Sequence, residues 1–217
     1  MEYLRNLLAQ NLRKPTGFFG WVTAKFILAR YNATVELQAV TLCDIQKDHY
    51  VLELGFGPGL GLQEAVKYLE PGKGKLVGVD FSSQMVRTTA SKLESEIKSG
   101  LVDVLEGDVM SLPLEGDIFD RVYHCNCYYF WPDLLRGSKE IFRVMKSGGL
   151  MVTTMKHGRV VEAEKTGKIP EGSSDINRYT SALKMAGFVD VKEDRTIAAD
   201  GEEILAILAT CQKSKDE

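Results

Sequence analysis

One stretch limits the available folds more than any other. Val51-Leu-Glu-Leu-Gly55-Phe-Gly57-Pro-Gly59-Leu-Gly61 is an apolar run that gives way to glycine at every second position. Tyr50–Leu54 reads as a strand and Leu60–Leu69 as a helix closed by Glu70-Pro71-Gly72, so the glycines occupy a strand-to-helix turn. Glycine there lets the backbone bend sharply and approach a ligand with no Cβ in the way. The alternation continues downstream. Lys75–Val79 reads as a strand, and Ser83–Ser99 as a helix with Met85, Val86, Ala90, Leu93 and Ile97 on one face, Ser82 or Ser83 as its cap and Gly100 as its stop. Strands follow at Val102–Leu105, Phe119–His124 and Leu150–Thr154, with a helix at Leu134–Met145 before the last of these. The pattern predicts an α/β fold, a doubly wound, mainly parallel sheet with helices on both faces.

The two ends break that rhythm. Gly158–Ser174 is polar and reads as a mobile connection, followed by a helix at Ile176–Met185. Phe188–Ile197 and Glu203–Gln212, with Ala199-Asp-Gly201 between them, read as an antiparallel hairpin that completes seven strands, parallel except for the last. At the other end, Tyr3, Leu4, Leu7, Leu8 and Leu12 form one helical stripe, and Phe18, Phe19, Val22, Phe26 and Ile27 begin another after Pro15-Thr-Gly17. Residues 1–44 are therefore expected to be a helical cap, forming one compact unit with a ligand-binding domain over 45–217.

Charge and cysteine usage narrow the partners. The 217 residues carry a net charge of −3, with Lys and Arg scattered, so no nucleic-acid partner is expected. The four cysteines and three histidines lack metal-ligand spacing, and neither a metal nor a disulfide framework is expected. No apolar run reaches the length of a membrane span and the first residues lack a secretory pattern, so the expected location is cytoplasmic. Oligomeric state is not written in the sequence.

Glycine spacing discriminates between ligands. Dinucleotide sites use Gly-x-Gly-x-x-Gly, yet the third glycine would fall at Leu60 or Leu62, and the chain has Gly-x-Gly-x-Gly instead. Glu53, two positions before the first glycine, suits a ligand with a cationic end better than a pyrophosphate.

Five motifs in order carry a family resemblance. Glu53-Leu-Gly-Phe-Gly-Pro-Gly59, Gly78-Val-Asp80-Phe-Ser-Ser-Gln-Met85, Gly107-Asp108-Val-Met-Ser-Leu-Pro113, Phe119-Asp120 and Val144-Met-Lys-Ser-Gly-Gly-Leu150 resemble those of the class I S-adenosylmethionine-dependent methyltransferases, in particular the small type 11 group. The resemblance covers residues 46–155 and, in pattern, the terminal hairpin. It implies S-adenosyl-L-methionine as cofactor and S-adenosyl-L-homocysteine as product. Glu53, Gly55, Phe56, Gly57 and Gly59 would frame the methionine part. Asp80 would accept from the ribose hydroxyls, with Phe81, Ser82 and Met85 beside the adenosine. Asp108, after Gly107, would accept from the adenine amino group with the Val109 N–H as partner. Read without the family, Asp80 is equally a helix cap and Asp108 a turn residue bonding its own backbone.

The acceptor side is less determined. His124-Cys-Asn126-Cys-Tyr128-Tyr-Phe-Trp131 lacks the Asn/Asp-Pro-Pro-Tyr/Phe motif of amino-methylating DNA and protein enzymes and resembles an Asn-x-x-Tyr-Phe-Trp pattern of small members. Asn126, His124 and Tyr128 are the candidate catalytic residues, none of them singled out. Asn126 also stands to touch the cofactor. Phe18, Trp21, Tyr128, Tyr129, Trp131 and His157 are candidates for the acceptor pocket, with residues 12–21 as a lid. The expected activity is methyl transfer to a small molecule through nitrogen, sulfur or oxygen, by in-line displacement driven by proximity. Protein or RNA methylation and non-catalytic cofactor binding are the alternatives.

Overall fold

The computed structural model describes residues 29–214; the lid expected over residues 12–21, with Phe18 and Trp21, lies outside them. Seven strands form a single sheet: β1 (Tyr50–Leu54), β2 (Lys75–Asp80), β3 (Val102–Glu106), β4 (Phe119–Cys125), β5 (Met145–Met155), β6 (Phe188–Ile197) and β7 (Glu203–Cys211). Their spatial order is β3-β2-β1-β4-β5-β7-β6, with β7 antiparallel to both of its neighbours and the other pairings parallel. The order reverses between β1 and β4, and the crevice above such a switch point is where open α/β sheets bind ligands.

The helices in chain order are α1 (Ala29–Leu42), α2 (Leu60–Ala65), α3 (Ser83–Lys92), α4 (Glu94–Lys98), α5 (Leu134–Val144), α6 (His157–Lys165) and α7 (Ile176–Ala186). One face of the sheet packs on α1, α2 and α3 through Ala39, Val40, Leu62 and Met85, and the opposite face packs on α5 and α7 through Ile141, Val144, Tyr179 and Leu183. Period-two alternation along the strands sorts side chains between these cores. Leu52 and Leu54 of β1 face α5 and α7, while Val51 faces α1 and α2. Among the described residues no helix is long and apolar enough to cross a membrane.

Three expectations need correction. The helix foreseen over Ser83–Ser99 is broken at Leu93, whose φ of −112° and ψ of 27° leave the helical region while its side chain stays buried. The helix foreseen to Met145 stops at Val144, and β5 starts at once, carrying Lys146-Ser-Gly-Gly149 as its irregular first part. Most consequential, the polar connection from Gly158 contains α6. Val160 is its buried anchor and half-buried Ala163 packs on the same core, so a helix with a narrow apolar stripe was hidden by its charged remainder.

Candidate active site

At the carboxyl ends of β1, β2 and β4 the structure forms a cavity of about 300 Å³. Its first wall is the glycine turn. Gly55, Gly57 and Gly59 have φ of 67°, 50° and 78°, left-handed values that side chains rarely adopt. Each glycine has its own second reason. A Cβ on Gly55 would meet Cys127 Cβ at 3.1 Å and one on Gly59 would collide with Thr89, whereas one on Gly57 would meet nothing within 4 Å and would project into open space at the cavity wall. The turn is tied down by Gly55 N–H donating to Val79 O (2.8 Å), Thr89 Oγ1 donating to Gly57 O (3.1 Å) and Lys92 Nζ donating to Pro58 O (2.7 Å).

Asp80, at the end of β2, is buried, and its carboxylate accepts from Gly57 N–H and Ser82 N–H, each at 2.8 Å. Phe81 beside it lines the cavity and is 44% exposed. Met85, Gly107, Asp108 and Val109 continue this wall. Asp108 Oδ1 accepts from Met110 N–H at 2.9 Å, so the turn role and the cavity position coexist in one side chain. That loop is anchored from α5: Arg136 Nε donates to Met110 O at 2.9 Å, and Glu140 accepts from Leu112 N–H at 2.8 Å.

The opposite wall is formed by Asn32 and Glu36 of α1, by Cys125 at the end of β4 and Asn126, Cys127 and Tyr129–Pro132 after it, and by Lys156, Arg159, Val160, Ala163 and Ile169 in and around α6. Asn126 has a φ of 49°, its N–H donates to Thr154 O and its Nδ2 donates to Asn32 Oδ1 at 3.1 Å. This left-handed residue ends β4 and turns the chain along the cavity. Trp131 is seated over Gly137 of α5, where a Cβ would come within 2.9 Å of the indole. Lys156 is buried and pairs with Asp200 and, at 3.1 Å, with Glu202 of the β6–β7 turn; Arg159 pairs with Glu202 as well.

Several expected site residues sit elsewhere. Gly59 and Ser82 support the glycine turn and α3 without lining the cavity. Glu53 alternates to the α1 side of β1, level with Tyr123 on β4, whose hydroxyl donates to it at 2.8 Å. His124 alternates the other way, towards α7. Its Nε2 bonds with Tyr179 Oη (2.7 Å) and Thr153 Oγ1 (2.9 Å), and burial pushes its pKa down to about 3, so the ring is neutral and away from the cavity. Tyr128 stacks on Tyr179 at 4.3 Å and donates to Ser173 O, while His157 bonds with Ser174 O. Neither Tyr128 nor His157 lines the cavity, whereas Tyr129 and Trp131 do.

Asn32, Glu36, Lys156 and Arg159 were not foreseen. A signal for the first pair was present: two polar residues four apart, one face of a helix, beside the apolar Val35, Ala39 and Val40.

The match to known proteins rests on the same region. Residues 52–153 fit the family model described as "Methyltransferase domain". The chain is 31% identical over 169 residues to the uncharacterized methyltransferase YdaC of Bacillus subtilis (strain 168), covering 77% of this chain and 87% of that one. This chain belongs to the class I S-adenosylmethionine-dependent methyltransferases. It is also 37% identical over 102 residues to the demethylmenaquinone methyltransferase of Lactococcus lactis, spanning 47% of this chain and only 40% of the relative. Among solved structures, a methyltransferase from a complex with the Haloferax volcanii activator Trm112 superposes with a TM-score of 0.72 at 20% identity, over 89% of this chain and 97% of that chain. An S-adenosylmethionine-dependent methyltransferase from Aquifex aeolicus gives a TM-score of 0.63 at 19% identity, over 83% and 92%. At these identities the structural likeness speaks to the fold.

The cavity of this methyltransferase fits its family's cofactor. The glycine turn leaves space at Gly57, the Phe81 ring lines the cavity, and Glu36 Oε2 is buried without a hydrogen-bond donor among the described residues on a wall that a cationic amino acid end would complete.

Proposed function

We propose that this methyltransferase modifies a small-molecule acceptor at nitrogen, sulfur or oxygen, placed for in-line displacement. Bound S-adenosylmethionine supplies an electrophilic methyl group. The chain's own task is positioning and exclusion of water, which can provide much of the acceleration when the acceptor is already nucleophilic. In this reading Gly55, Phe56 and Gly57 present backbone to the methionine part. The Asp80 carboxylate, held by the Gly57 and Ser82 backbone N–H groups, is the proposed acceptor for the ribose hydroxyls. Phe81 and Met85 cover the adenosine, and Asp108 with the Val109 N–H reads the adenine edge. Asn126, held by Asn32, stands where the methionine part meets the acceptor. Residues 1–44 act as the cap of this unit.

The observation that carries the acceptor class is the second wall. Tyr129, Phe130, Trp131, Pro132, Val160, Ala163 and Ile169 form a mostly apolar surface on the same 300 Å³ cavity as the glycine turn, a scale suited to a compact ligand. Its two cations, Lys156 and Arg159, are matched by Asp200 and Glu202, which disfavours a polyphosphate backbone as partner. Relatives named for demethylmenaquinone, for 2-methyl-6-phytyl-1,4-hydroquinone and for a sterol act on small molecules, which supports the same class.

The test is release of S-adenosylhomocysteine, followed by mass spectrometry, across panels of amines, thiols, phenols and carboxylic acids. At least one small acceptor is expected to turn over, and Trp131→Ala to cut that turnover about tenfold or more while cofactor affinity stays within about twofold. Turnover confined to a protein or RNA fraction would overturn the acceptor class.

A further inference from the structure

Two carboxylates meet beneath the glycine turn. Glu36 of α1 is 6% exposed and Glu53 of β1 is 1% exposed. Both press on one point of α2, where a Cβ on Gly61 would lie 2.5 Å from Glu53 Oε1 and 2.8 Å from Glu36 Oε2. Glycine at residue 61 is thus the condition for α2 to pass over the pair. Glu53 is satisfied by the Tyr123 hydroxyl, whereas Glu36 Oε2 has no donor among the described residues. Two ionised carboxylates cannot bond to each other, because neither has a hydrogen to give. Paired acids in a buried site commonly share one proton.

Tyr123 and Cys125 of β4 and Cys43, just after α1, are buried with their acid dissociation suppressed by burial, and the acidic Asp80 adds its charge to that felt by Glu53. Thr154 of β5 donates to Val35 O and contacts Cys125 Sγ. Burial pushes the Glu36 pKa up to about 7 against the lowering influence of Cys125 and Glu53, and Glu53 is raised well above the usual carboxylate range by burial and by Glu36. Unlike Glu53, Glu36 lines the cavity. It shares the cavity lining with Asn32, one turn before it on α1, and with Gly55, Cys125 and Asn126.

We propose that the Glu36–Glu53 pair keeps one shared proton in the ligand-free protein and surrenders it to solvent when Glu36 receives the α-ammonium group of the cofactor. The pair then carries two negative charges, one balanced by the ammonium, and the lost proton goes to the buffer. This rests on the cofactor reading and adds a coupling to it: binding at the methionine end is proton-linked. Affinity falls as pH drops, by about tenfold from pH 8 to pH 6 for a group that titrates near 7. The amine of the ligand itself titrates near pH 8, so the effect is read at pH 6 and as a difference between proteins.

The experiment is calorimetry at pH 6 in buffers of different ionisation enthalpy, which counts protons exchanged on binding. S-adenosylmethionine and S-adenosylhomocysteine both have the α-ammonium and are expected to release nearly one proton. 5′-Methylthioadenosine lacks it and is expected to release none. Glu36→Gln should abolish the release and flatten the affinity between pH 5.5 and 7.5. Release of the same proton by methylthioadenosine, release with S-adenosylmethionine alone, binding without release, or retention of the release in Glu36→Gln would each overturn the proposal. Should Glu36→Gln fail to fold, the comparison of the three ligands on the unaltered protein decides by itself. Failure of all three to bind would instead remove the cofactor assignment along with the coupling.

Discussion

The two walls of the cavity are built by different means. From Gly55 to Val109 the surface comes from loops at strand ends, and the sheet's own ladder sets their height: Gly55 N–H reaches Val79 O, Gly107 N–H reaches Asp80 O, and Asp80 reaches back to Gly57. The facing wall is carried by α1, by the segment after β4 and by α6, whose side chains arrive from residues 32, 36, 129, 131, 156 and 159, with Asp200 and Glu202 of the hairpin turn paired to the two cations. A wall made of backbone tolerates few residue types, because glycine or a carboxylate at a strand end is required by geometry. A wall made of helix side chains can change its chemistry while the packing beneath is kept. Conserving a ligand across many acceptors suits the first, and selecting an acceptor suits the second.

That contrast predicts unequal sensitivity. The largest effect is expected on the backbone wall: Asp80→Ala removes the acceptor for Gly57 and Ser82 together with the proposed ribose contact, and should weaken S-adenosylmethionine binding about a hundredfold, roughly 3 kcal/mol. Calorimetric affinity within threefold of the unaltered protein would put the ribose elsewhere.

Next comes the seam between the walls. Glu36 has a folded-state pKa of about 7 against an ordinary value of 4.5, so the proton binds more tightly in the folded chain. Its contribution is fully present below pH 4.5 and is lost as pH rises through 7, on the order of 3 kcal/mol. Urea unfolding of the ligand-free protein should therefore show a midpoint that declines from pH 5 to pH 8, and Glu36→Gln should lessen the decline. A midpoint that rises across this window contradicts the buried pair.

The smallest effect belongs to the side-chain wall. Asp200 is 45% exposed, so solvent screens its pairing with Lys156, which keeps Glu202 as a second partner. Asp200→Asn should cost less than about 1 kcal/mol and leave cofactor affinity unchanged, by thermal unfolding and calorimetry. A marked loss of cofactor binding would erase the distinction between the walls.

The same division explains what the sequence disclosed. Strand and helix periods, the glycine turn and the order of the strand-end motifs are local, so the sheet, its antiparallel strand and positions 55–57, 80–81, 85 and 107–109 could be placed on the cavity from spacing and resemblance. Glu53 and His124 lie in the right strands, yet each points to the face its register dictates, and which face opens on the cavity depends on the neighbouring strand. Helix α6 was missed because one buried valine and one half-buried alanine among charged residues make a weak periodic signal. Glu36 and Lys156 were missed for another reason. A carboxylate in an Ala- and Val-rich helix and a lysine after a strand look solvated until the elements that bury them, β1 and the hairpin turn, are brought alongside.

The reversed strand has one further consequence. Because β7 runs against β5, with Leu205 opposite Met155, the short link from β6 emerges at the cavity mouth; a parallel strand would have carried that link to the far edge of the sheet. Residues 198–202 are in effect a rim segment that joins two strands already paired along their length. Lengthening it costs little closure entropy. Descendants of this scaffold can therefore widen, narrow or recharge the entrance by insertion at a single exposed turn, leaving every strand register as it was.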